Sequence, residues 1–143
     1  MHALPLSRHK VRTSARNEMV EVTDKLRQAV ARSGLTEGML IAYVPHTTAA
    51  VTINENADPD VKHDMLAKLS ALVPHRESYY RHAEGNSDSH VKAAMVGHSV
   101  TVLVEAGELV LGRWQGVYFC EFDGPRDREL IVKLINLAPA MPG

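Results

Sequence analysis

Residues 99–137, SVTVLVEAGELVLGRWQGVYFCEFDGPRDRELIVKLINL, decide the fold. The stretch is rich in β-branched and aromatic residues and reads as strands over 99–105, 108–112, 114–122 and 129–137. Ala106-Gly107 is a hairpin-turn candidate between the first two. In the third, Gln115, Val117, Phe119 and Glu121 share one face, with Tyr118, Cys120 and Phe122 on the other. Both faces of 129–137 are apolar: Leu130, Val132 and Leu134 on one, Ile131, Ile135 and Leu137 on the other. Covering both faces is easiest if one of them meets another layer or subunit.

Upstream, helices and strands interleave. Residues 7–13 and Glu18–Val22 read as short strands. Thr23 is placed as an N-cap, Leu26, Ala29 and Val30 follow at helical spacing, and Gly34 stops the helix. Residues 38–44 form a buried strand closed by Pro45, and 48–54 a second strand. Asp58-Pro59 starts a helix with a capping acid and a proline at its first position. Val61, Met65, Leu69 and Leu72 mark its apolar face as far as Pro74. A polar loop covers 75–86, and a shorter helix runs from Ser87 to Val96, ended by Gly97. Interleaved early helices followed by successive strands favour α+β over a doubly wound sheet.

Composition narrows the class. The chain has 143 residues, 45% apolar and 23% charged, which suits one ordinary globular domain. A net charge of −1 argues against a general nucleic-acid binder. The single cysteine excludes an internal disulfide and any CxxC motif, and suits a reducing, cytoplasmic setting. No apolar run approaches the roughly 20 residues that span a bilayer. The start is Arg-rich and acid-poor through Arg16, as a transit segment is, but Pro5 spoils a long helix and a basic edge strand is the preferred reading. Eight histidines are the one unusual count.

The phosphate-loop, dinucleotide, zinc-protease and serine-elbow strings are absent. Polar residues concentrate in four places. His46, in Pro45-His46-Thr47-Thr48, suits metal ligation or acid–base work, although a turn histidine bonded to backbone is commoner. Asn54 through Asp60 crowds oxygen donors that suit Mg²⁺; capping explains Asp58 and Asp60 but neither Asn54 nor Glu55. His82 and His90 flank a glycine-containing loop and a helix start, where free amides near Asn86–Ser89 suit phosphate. The plain alternative is a solvated loop with Ser87 as cap. His63 falls on the solvated side of its helix. Glu121, beside Val117 and Phe119, needs a partner if buried, and Arg126 or Arg128 can supply it or bind phosphate.

Together, PHTTAAVTINENADPDV (45–61), YRHAEGNSDSHVKAAMVG (80–97) and SVTVLVEAGELVLGRWQGVYFCEFDGPRDRE (99–129) resemble the YjbQ-like family, whose members are called secondary thiamine-phosphate synthase enzymes. The likeness spans essentially the whole chain. LGRWQG followed by EFDGPR is its most specific part. It implies one domain, a compact α+β fold in which a mostly antiparallel β-sandwich packs with two to three helices, and a homotrimer. It also implies a small-molecule pocket near subunit boundaries and a divalent metal on His46, His82 and His90, zinc as isolated or magnesium with a diphosphate substrate. The implied activity is weak: joining hydroxymethylpyrimidine diphosphate to a thiazole phosphate with release of pyrophosphate. Fold transfers better than function across such a likeness.

In that reading Glu55 and Glu121 are expected as general bases or metal supports, Arg126 and Lys92 as phosphate contacts, and Asn54, Asn86 and Gln115 as further substrate contacts. The expected partner is a small phosphorylated heterocycle, with neither nucleic acid nor membrane. The competing readings are a metal-assisted hydrolase of a small phosphorylated metabolite and a non-catalytic trimeric binding protein.

Overall fold

The computed structural model describes residues 2–139. Its elements in chain order are β1 (His2–Ala3), β2 (Ser7–Arg12), β3 (Glu18–Glu21), α1 (Thr23–Ser33), β4 (Gly38–Tyr43), β5 (Ala49–Glu55), α2 (Pro59–Leu72), α3 (Ser87–Val96), β6 (Ser99–Glu105), β7 (Glu108–Leu109), β8 (Gln115–Glu121) and β9 (Asp127–Asn136). Every pairing among the described strands is antiparallel. One sheet runs β1-β9-β4-β6-β7, with β2 also on β9; the other runs β3-β8-β5. This is the expected α+β sandwich, with three helices.

The strand alternation read from the sequence is what joins the layers. Val117 and Phe119 of β8 face the main core with Leu40 and Ala42 of β4, Leu130 and Val132 of β9, and Leu26 and Val30 of α1. Tyr118, Cys120 and Phe122 face the other way, where Met65 and Leu69 of α2 and Ala93 of α3 cover them. Burial pushes the Cys120 thiol up to about 12, so it is a packing group. No helix among the described residues is long and apolar enough to cross a membrane.

Several boundaries differ from expectation. Val22, not Thr23, occupies the cap of α1. The Thr23 hydroxyl instead donates to Glu21 and accepts from the Val117 amide, tying α1 to β8. Asn86 replaces Ser87 at the cap of α3. Asp58 caps α2 as expected, accepting from the Asp60 amide at 2.9 Å. β7 is two residues long, because the chain turns through 112–115 where Gln115 accepts from the Gly112 amide. β1, too short for periodicity, had no sequence signal. Residues 7–12 form the basic edge strand, in which Arg8 and Arg12 pair with Glu129 and Asp127 across the sheet.

Candidate active site

Four element ends meet at one edge of the sandwich. Pro45–Thr48 leads from β4 into β5, Asp123 follows β8, Arg126 and Arg128 stand at the start of β9, and Asn86 and His90 open α3. With His82 and Glu84 from the preceding loop they line an open cleft of about 510 Å³. The sequence spreads these groups from Pro45 to Arg128.

The floor of the cleft is a buried ion pair. Glu121 has no exposed surface. Its carboxylate accepts from Arg128 Nε and Nη2, the Thr13 hydroxyl, and the Phe122 and Asp123 amides. Burial pushes the carboxyl upward, but Arg128, the Asp123 amide and Thr13 outweigh it and hold it below its usual range. A carboxylate has about four lone-pair sites, so Glu121 is saturated and acts by holding its neighbours. Arg128 Nη2 also donates to the Thr48 hydroxyl at 2.8 Å, and Arg128 lines the cleft. Gly124 belongs to this packing: a Cβ there would lie 2.4 Å from the Ala15 carbonyl and 2.7 Å from Glu121 Cγ. The turn it makes sets Asp123 to accept from Arg126 at 2.9 Å and Asn86 at 2.8 Å.

Beneath α3, Asp88 is buried and accepts from both terminal nitrogens of Arg16 at 3.0 Å and from Lys92 at 3.3 Å. Burial opposes the charge on Asp88, and the two cations outweigh it, lowering its pKa. The Ser89 hydroxyl donates to the Phe122 carbonyl at 2.6 Å. These bonds fix the first turn of α3 and, with it, Asn86 and His90. Lys92 therefore supports the helix; its ammonium is bonded to Asp88 and Asn17 and does not line the cleft.

Of the residues expected from sequence, His46, His82, His90, Asn86 and Arg126 share the cleft, and Glu121 lies under it. Asn54, Glu55 and Gln115 do not join them. Glu55 pairs with Gln115 at the far end of the strands on which Ala49 pairs with Glu121. Six residues of strand place them about 20 Å away. Asn54 and Gln115 serve local structure there, accepting from the Glu55 and Gly112 amides. Glu84, Asp123 and Thr48 were missed, since a loop acid, a turn acid and a strand threonine carry no signal until the chain folds. Arg16 was read only as part of a basic start.

The described residues contain no group of three His, Cys, Asp or Glu side chains set to share a metal ion. His82 and His90 are neighbours, with ring centroids 5.5 Å apart. His46 does not complete a ligand set with them: its Nε2 accepts from the Glu129 amide at 2.9 Å. A neutral imidazole has one lone pair, and here it is used. The three-histidine metal site implied by the resemblance does not fit this arrangement.

Residues 7–137 match the family described as UPF0047 protein YjbQ-like. The UPF0047 protein YugU of Bacillus subtilis is 48% identical over 127 residues, 89% of this chain and 96% of its own length. A UPF0047 protein of Methanocaldococcus jannaschii is 48% identical over 131 residues, covering 92% and 94%. Among solved structures, an uncharacterised YjbQ/UPF0047 protein from Clostridium acetobutylicum superposes with a TM-score of 0.88 at 46% identity, over 90% of this chain and 99% of its own. A protein of unknown function from Sulfolobus solfataricus gives 0.89 at 30% identity, over 94% and 99%.

Proposed function

The chain belongs to the YjbQ-like UPF0047 family, and we propose that it is an enzyme of small phosphorylated heterocycles, working as a homotrimer. The observation that carries the proposal is the convergence of Arg126, Arg128, three imidazoles and the opening turn of α3 on one cleft of about 510 Å³. That volume suits a small metabolite. Planar guanidinium groups and free helix amides are the groups that recognise phosphate oxygens.

The reaction is the one the family likeness implies. The thiazole nitrogen of a thiazole phosphate forms a bond to the exocyclic methylene of hydroxymethylpyrimidine diphosphate. The carbon–oxygen bond breaks, and its electron pair leaves with pyrophosphate. Arg126, half-exposed at the mouth, and Arg128 meet the negative charge growing on the leaving group. Magnesium accompanying the diphosphate is the cation this reading requires.

The test supplies purified protein with both precursors and Mg²⁺ and measures thiamine phosphate. Turnover is expected, with Arg126→Ala lowering kcat roughly 10²-fold, the scale of losing one positioned donor. Phosphate or pyrophosphate release that does not need the thiazole partner assigns hydrolysis instead. Saturable binding without turnover assigns a binding protein.

A further inference from the structure

We infer that His46 is the fixed hydrogen-bond donor of the cleft, presenting Nδ1–H to its ligand, and is not a metal ligand. Strand β4 pairs with β9 as far as Tyr43 opposite Ile131, and the same register continued would set Pro45 against Glu129. The chain leaves the sheet at that proline, so the Glu129 amide has no ladder partner. A backbone donor left unpaired at a half-buried position is costly. The His46 ring takes the vacant place, with Nε2 accepting from that amide at 2.9 Å.

This bond settles the tautomer. An N–H can be accepted only by a bare nitrogen, so in the neutral ring the proton resides on Nδ1. Burial, then the nearby Arg128 charge, lowers the pKa of His46 and favours the neutral ring. Nδ1 has no partner among the described residues, and the one buried, unpartnered side-chain nitrogen or oxygen among them is Asn86 Oδ1. Nδ1–H is therefore not enclosed by protein, and His46 lines the cleft. A ring with one nitrogen engaged by an amide and the other protonated has no lone pair for a cation. It does have a neutral donor of fixed direction, suited to an oxygen acceptor on the bound molecule. In the proposed function, on which this role in ligand binding rests, that acceptor is a phosphate oxygen.

The test labels histidine with ¹⁵N in the wild-type protein and reads each ring's tautomer from one-bond and two-bond ¹H–¹⁵N correlations. It is made before and after one equivalent of Zn²⁺. His46 is expected to show a protonated Nδ1 and a bare Nε2 in both samples. An Nε2–H tautomer, or loss of the Nδ1 proton on adding zinc, overturns the assignment. Pyrophosphate binding by calorimetry then compares folded His46→Asn, which retains an N–H near the Nδ1 position, with His46→Phe, which retains none. His46→Asn should bind within about threefold of wild type and His46→Phe about tenfold more weakly, the scale of one hydrogen bond. Wild-type affinity in His46→Phe overturns the donor role. If the wild-type protein binds no pyrophosphate, the phosphate reading falls, and the tautomer alone decides the inference.

Discussion

Glu121 and Arg128 show how one buried pair builds a site: Arg128 lines the cleft and Glu121 holds it from beneath. Their ion pair is buried and bonded to Thr13, Thr48 and the turn after β8, so it fixes three segments at once. Glu121→Gln leaves Arg128 without its counter-charge and should cost about 3–5 kcal/mol, measured by urea denaturation at pH 7. The acid limb follows from the same pair. The folded pKa of Glu121 lies below its usual value, so its stabilisation is full above the unfolded carboxylate pKa of about 4.3 and is lost as pH falls through the folded value. Asp88 acts in the same direction. The wild-type melting temperature should hold from pH 7 to 5 and fall below about pH 4.3, and the fall should be shallower in Glu121→Gln. An equal fall in that variant would remove Glu121 from the explanation.

Among the elements, β4 is the constrained one. It lies between β6 and β9, and its first residue, Gly38, leaves no room for a side chain: a Cβ would lie 2.0 Å from the Ile135 carbonyl oxygen of β9. Gly38→Ala must separate the two strands and should cost at least about 1–3 kcal/mol, read as a lower urea midpoint. An unchanged midpoint would show that the β4–β9 pair relaxes freely there. The sequence marked 38–44 as a buried strand but not this contact, since the carbonyl belongs to a residue 97 positions away. Helix α3 makes the same point. Its span was legible from Gly97, whereas the cap lies at Asn86, and Arg16 and Phe122 hold Asp88 and Ser89 of the first turn from outside the helix.

At the scale of the whole molecule, one face of the larger sheet is not covered by another layer among the described residues. On that face Met39 of β4 lies opposite Ile135 of β9 and Leu103 of β6, Tyr43 opposite Ile131, and Ile41 opposite Lys133 and Thr101. Leu103 is 58% exposed and Tyr43 47%. Apolar surface of this kind suits another subunit, which supports the proposed homotrimer. Light scattering at micromolar concentration should give three times the chain mass, and Leu103→Lys should lower it; a wild-type monomer would end the proposal. The sequence by itself determined the fold class, the three helices, the two-sided burial of β8 and the peptide segments that carry the cleft. Each of these follows from local periodicity and turn chemistry, which neighbouring residues settle among themselves. Only the tertiary structure decided membership of the site. It gathered His46, His82, His90 and Arg126, placed Asn54, Glu55 and Gln115 at the far end of the same strands, sent Lys92 under the helix, and gave the His46 lone pair to Glu129. The physical reason is that a side chain's function depends on which distant backbone and charged groups need it, and antiparallel register creates those needs only when the strands are paired.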